Sequence, residues 1–114
     1  MNQKIAIPTS QGLLCPHFGH CDEFTLVNVD MDKSEIISTE IVEAPEHEPG
    51  LLPRWLHERG ANLIIAGGMG ARAQGLFAQN GVKVVVGAQT AAPEEIVRSY
   101  LNGMLQTSGN LCDH

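Results

Sequence analysis

The residues best suited to chemistry crowd into one stretch, Cys15-Pro16-His17-Phe18-Gly19-His20-Cys21-Asp22-Glu23, which sets two thiols and two imidazoles within seven positions. Thiolate and imidazole are the ligands of soft or borderline metals: zinc, copper(I) and the iron of sulfide clusters. His20 and Cys21 are adjacent and point apart in extended chain, so a single tetrahedral site needs a bend, which Gly19 is placed to supply. The spacing fits two or three of Cys15, His17, His20 and Cys21 ligating together. The chain ends Asn110-Leu111-Cys112-Asp113-His114, which adds Cys112 and His114 to the candidate ligands. The competing account makes the cysteines buried small residues and leaves the histidines bonded to loop backbone. It is the better account for one such residue alone; crowding favours a metal. His47, in an acidic linker, and His57, beside Glu58, read as solvated surface.

A second candidate is the turn Gly67-Gly68-Met69-Gly70, which follows an apolar run and opens a helix. Gly68-Met69-Gly70-Ala71-Arg72-Ala73 satisfies the G-x-G-x-x-A form of the dinucleotide fingerprint. The acidic residue that should meet a ribose about 20 positions later is missing, which disfavours a nicotinamide enzyme. What remains is a turn whose N–H groups and helix dipole suit an anion, including the negative charge of a sulfide cluster. Tight packing of strand on helix explains the glycines equally well, and Met69 is either a soft contact or core packing. Hydrolysis fares worse. The first strand, Lys4-Ile5-Ala6-Ile7-Pro8, has no carboxylate for a two-metal nuclease, and Thr9, Ser10 and Ser99 lack a G-x-S-x-G setting. Cys21 beside a histidine has no identifiable orienting partner, so no enzyme is expected.

These residues need a scaffold, and hydrophobic periodicity predicts one. Ile5 and Ile7 alternate with Lys4 and Ala6 in a short strand that runs into Pro8-Thr9-Ser10-Gln11-Gly12 and a loop reaching Asp22. From Phe24 to Asp30 and from Glu35 to Val42, β-branched and apolar residues recur about the connection Met31-Asp32-Lys33-Ser34, which predicts an antiparallel hairpin. After a linker over 44–50, Leu52, Trp55, Leu56 and Arg59 share a helical face that stops at Gly60. A buried strand over 62–66, the glycine turn, a helix from Ala71 to Gln79 and a strand over 83–86 follow. Pro93-Glu94-Glu95 opens the last helix, whose Ile96, Val97, Tyr100 and Leu101 face the core and which Gly103 ends. The order β-β-β-α-β-α-β-α predicts an α/β fold with a mixed five-stranded sheet, antiparallel first and parallel after, in a three-layer arrangement resembling ribonuclease H.

At 114 residues the chain has the length of one domain, 1–114, with 104–114 as a C-terminal tail. A hydrophobic fraction of 43% and a charged fraction of 18% indicate a real core rather than disorder. Seven Lys and Arg against thirteen Asp and Glu leave a formal charge of -6, which repels a phosphate backbone and argues against nucleic acid as a partner. No apolar run approaches the roughly 18 residues of a membrane span, and the start has no signal-peptide pattern. A cytoplasmic location is expected. Three cysteines in a reducing compartment favour ligand, reactive thiol or buried residue over a disulfide framework.

Four segments combine into a more specific pattern: Ile5-Ala6-Ile7-Pro8-Thr9, His17-Phe18-Gly19 followed by Glu23-Phe24, Ile64-Ile65-Ala66-Gly67-Gly68-Met69-Gly70, and Gly81-Val82-Lys83-Val84. On these the chain resembles, over nearly its whole length, the dinitrogenase iron–molybdenum cofactor biosynthesis family, the small NifX-like and NifB C-terminal-like domains. The resemblance implies a ribonuclease-H-like fold and the binding, storage or transfer of an iron–sulfur or molybdenum-containing cluster, iron–molybdenum cofactor among them. It implies cluster donor and acceptor proteins as partners, and no turnover. His17 matches the family's His-Phe-Gly position, and the glycine turn matches a family loop at the same end of the sheet. Cys15, His20, Cys21 and the Cys112-Asp113-His114 ending depart from the family pattern and would tune the site to another metal. Relatives occur outside nitrogen fixation, so the resemblance speaks for cluster binding more than for nitrogenase assembly. Two other readings stay open: a closed zinc site that stabilises the fold, and an interaction module responding to redox state through Cys15 or Cys21.

Overall fold

The strand Asn2–Ser10, β1, is buried without a break from Ile5 to Thr9, because both of its faces are covered. Ile5 and Ile7 enter one apolar cluster and Ala6 the other, as the two-residue period of a strand requires. A computed structural model describes residues 2–15, 21–45, 51–103 and 105. After β1 come β2 (Leu13–Leu14), β3 (Glu23–Asp30), β4 (Glu35–Glu43), α1 (Leu51–Glu58), β5 (Leu63–Ile65), α2 (Ala71–Gln79), β6 (Lys83–Val85) and α3 (Pro93–Leu101).

The fold is α/β with one mixed sheet ordered β4-β3-β1-β5-β6 and three helices. β1 pairs antiparallel with β3 and parallel with β5, so it is the seam between the hairpin half of the sheet and the crossover half. β3 continues antiparallel to β4, and β5 parallel to β6. Helices α1 and α2 cover one face, where Leu52, Leu56 and Phe77 pack with Phe24, Leu26 and Ile64. Helix α3 covers the other, where Ile96 and Val97 pack with Ile7, Val27 and Ile65.

Six strands form, where the sequence predicts five. The addition is β2, a two-residue strand that folds back on β1 through Gln11 (φ 55°) and Gly12 (φ 82°), the two left-handed residues of a tight hairpin. The same return explains why β1 runs past Pro8 to Ser10. In β1 the pairing with β5 stops at Ala6, and beyond it β2 takes over that edge. Pro8 therefore presents only a carbonyl there, which accepts the Cys15 N–H at 2.9 Å, and its missing N–H leaves no broken ladder bond.

Local chemistry sets the helix ends. At the end of α1, Gly60 (φ 90°) donates to the His57 carbonyl at 2.9 Å and Ala61 to Leu56 at 3.1 Å, a Schellman closure. Gly81 (φ 77°) and Val82 repeat it after α2, donating to Ala78 and Phe77 at 3.0 and 2.9 Å. No helix among the described residues is long and apolar enough to cross a membrane.

Candidate functional site

Parallel β1, β5 and β6 all end on one side of the molecule, where β3 begins and β4 finishes. From β1 the chain folds back as β2 on the edge that β5 uses lower down, then crosses to β3, and from β5 it leaves toward β6. The carboxyl ends of parallel strands are where α/β sheets commonly bind ligands. The cysteine–histidine loop joins β2 to β3, and the glycine turn springs from β5.

The glycine turn is held by backbone. Ala66 donates to Val85 at 2.8 Å, Gly87 to Gly67 at 2.9 Å and Ala88 to Ala66 at 3.2 Å, which extends the β5–β6 register past both strands. Gly67, Gly68 and Met69 are buried and Gly70 is exposed. The Met69 side chain belongs to the core cluster on the α1/α2 face, and its carbonyl accepts the Gln74 side-chain N–H at 2.9 Å. Gly70 is the N-cap of α2 and provides no side-chain cap, and the first turn carries no acidic residue. The positive end of that helix is therefore uncompensated by its own sequence.

Both ends of the cysteine–histidine loop are tied to the sheet. Leu14 donates to the Ala91 carbonyl at 3.0 Å and Cys15 to Pro8 at 2.9 Å; across the loop, Ala44 donates to the Asp22 carbonyl at 3.1 Å. Cys15 is 6% exposed. Cys21 is half-buried and packs against the cluster that contains Met69 and Phe24. Both carry thiols and neither forms a disulfide.

Of the six candidate metal ligands, Cys15 and Cys21 stand at the two feet of this loop, whereas His17, His20, Cys112 and His114 lie outside the described residues. Among the described residues no three Cys, His, Asp or Glu side chains converge as a metal-holding group. His57 is on the exposed side of α1, as expected, and His47 lies outside the described residues.

Sequence reasoning weighed Thr9 and Ser10 only as nucleophiles and passed over their pairing with the residues that follow the loop. Ser10 donates to the Asp22 carboxylate at 2.7 Å. Buried Thr9 and Thr25 share a hydrogen bond at 3.1 Å, and the Thr9 hydroxyl reaches both the carbonyl and the carboxylate of Glu23 at 3.4 Å. The sequence does contain a sign of this, with hydroxyl residues immediately before the loop and two carboxylates immediately after it. Behind them Phe24 meets Trp55 at 5.7 Å between ring centroids, tilted by 53°, and the Arg59 guanidinium lies 4.4 Å above the Trp55 ring.

The site geometry thus combines a thiol-bearing loop anchored at both feet with a backbone turn at the start of a helix. Known proteins share the frame. An uncharacterized protein of Methanocaldococcus jannaschii is 33% identical over 108 residues, covering 90% of this chain and 89% of its own length. The crystal structure of PH0822 superposes with a TM-score of 0.85 at 27% identity, covering 93% of this chain and 95% of that one. The apo orange protein of Desulfovibrio gigas superposes with a TM-score of 0.73 at 24% identity, covering 95% of this chain and 94% of that one. A family model named for the dinitrogenase iron-molybdenum cofactor matches residues 1–103, so the chain that places these two loops at one end of its sheet belongs to that family.

Proposed function

We propose that this protein binds, stores or transfers an iron–sulfur or molybdenum-containing cluster as cargo, acting in the cytoplasm between donor and acceptor proteins and without turnover. Family membership supports cofactor handling. The observation that carries the reading is that the loop bounded by Cys15 and Cys21, which joins β2 to β3, and the turn Gly67–Gly70 after β5 lie at the same end of the sheet, on either side of the end of β1. In this reading Cys21, half-buried rather than sealed, offers a thiolate, and His17 and His20 of the same loop add imidazole. The amides at the start of α2 face the anionic cargo with the positive end of the helix. Cys112 and His114 are further candidate donors. The β1-centred mixed sheet between helical layers is on this reading a ribonuclease-H-like frame, formed by one domain over 1–114, and a carrier built on two apolar clusters is expected to stay folded when empty.

Anaerobic purification, elemental analysis for iron, molybdenum, copper and zinc, and a visible spectrum of the same sample test the proposal, with reconstitution if the protein arrives empty. Iron or molybdenum with a coloured spectrum is the expected result, and Cys21→Ser and His17→Ala should each retain less of it without lowering the melting temperature. Zinc alone, bound tightly and needed for folding, would make the site structural. No metal after reconstitution would remove the carrier reading.

A further inference from the structure

Helices α2 and α3 end on the same dipeptide, Asn80-Gly81 and Asn102-Gly103. Asparagine is among the chemically labile residues, and glycine after it removes the steric protection, because a backbone nitrogen with no Cβ beside it can attack the asparagine side-chain carbon. The carbon–nitrogen bond of the side-chain amide then breaks, ammonia leaves and a cyclic imide closes. Water opens that ring at either carbonyl, giving aspartate or a β-linked isoaspartate. The whole conversion exchanges ammonia for water and needs no oxidant or reductant.

The backbone is nearly the same at the two sites. Asn80 has φ -93° and ψ 7°, Asn102 has φ -86° and ψ 0°, and the glycines after them are left-handed at 77° and 71°. Each glycine N–H is turned back on its own helix, Gly81 donating to Ala78 at 3.0 Å and Gly103 to Tyr100 at 3.1 Å, so attack requires this closure to open. The restraint on opening differs. The Asn80 side-chain amide donates to the Leu76 carbonyl at 2.8 Å, and the next residue but one, Val82, is buried in the core and donates its N–H to the Phe77 carbonyl at 2.9 Å. The Asn102 side chain is exposed and makes no hydrogen bond among the described residues. It lines an open 320 Å³ groove with Glu35 and Arg98.

We propose that Asn102 is a site of spontaneous deamidation, open to the reaction in the folded chain, and that Asn80 is the same reactive pair held shut. Either product changes the end of α3. Aspartate places a negative charge at the negative end of the helix dipole and in the same groove as Glu35. Isoaspartate lengthens the main chain by a methylene and carries the Gly103 N–H off the Tyr100 carbonyl. Release of ammonia makes the conversion irreversible in dilute solution, so the converted fraction rises with the age of the molecule.

Peptide mapping by mass spectrometry follows both positions at once in the full chain aged at mildly alkaline pH, where the attacking nitrogen loses its proton more readily. Ageing in water that carries heavy oxygen marks the conversions that precede the digest. In the folded chain Asn102 should convert about tenfold faster than Asn80, because the side-chain hydrogen bond and the buried neighbour add to the cost of opening at Asn80. In denaturant the two rates should converge, since glycine follows asparagine in both. Asn102→Gln should erase the reaction at that position, its longer side chain closing the ring poorly, with the circular dichroism of the wild-type chain. Equal rates in the folded chain, faster conversion at Asn80, or an intact Asn102 where the denatured chain reacts would each overturn the proposal.

Discussion

Thr9 and Thr25 are the buried polar side chains among the described residues, and they satisfy each other at 3.1 Å beneath the loop. Removing the Thr9 hydroxyl takes this partner from buried Thr25, whereas Thr9 itself also reaches Glu23, so the loss is largest when Thr9 alone is replaced and Thr25 is left in place. Thr9→Val should therefore cost about 1–2 kcal/mol in urea unfolding, and T9V/T25V should cost less than the sum of its single substitutions. The threonines were hard to single out from sequence for a physical reason. Their bond depends on the pairing of β1 with β3, which sets Thr9 opposite Glu23 and Thr25 opposite Ile7 and so makes the two threonines, sixteen positions apart, diagonal neighbours. Cys15 and Cys21, by contrast, were visible through residue type and crowding alone, and the structure then separates them, one buried and one half-buried. His17 and His20 were legible as candidate donors through residue type alone, because spacing gives possible donors and not their directions.

Elements were legible where the determinants are local. Helix α2 runs from Ala71 to Gln79 as the pattern predicts, since a glycine turn opens it and Asn80-Gly81 closes it. Pro93 opens α3 for the same kind of reason. The elements missed were those settled by distant neighbours: β2 exists because β5 leaves part of the β1 edge uncovered, and Pro8 is tolerated because β2 asks only for its carbonyl. Helix α2 also contains a paired test of local cause. A Cβ added at Gly75 or at Gly81 meets nothing within 4 Å, so packing contributes to neither substitution. Gly75→Ala, in the helix interior, should stabilise by roughly 0.5–1 kcal/mol. Gly81→Ala, at φ 77°, should destabilise by about 1–2 kcal/mol through backbone strain alone. Thermal unfolding of the two variants separates conformational preference from contact.

At the scale of the whole molecule, one sheet separates two apolar clusters with no member in common. Substitutions on opposite faces should then act independently. Leu56→Ala beneath α1 should cost roughly 2–5 kcal/mol and Ile96→Val beneath α3 roughly 0.5–1.5 kcal/mol, with the double variant within about 0.5 kcal/mol of their sum. The fluorescence of Trp55, the single tryptophan, packed on Phe24, reports this unfolding directly. The layered arrangement was foreseeable because buried strands that alternate with amphipathic helices leave few other ways to cover both faces. One feature of this frame bears on how the protein diversifies. Cys15 is pinned to Pro8 and Asp22 to Ala44, so the chain on either side of residues 16–20 is fixed by bonds that involve none of those five positions. Those five residues form an exchangeable cassette. On the proposed carrier reading, substitutions among them should leave the melting temperature near wild type while changing which metal is retained, so that cargo preference could change without repacking a core side chain.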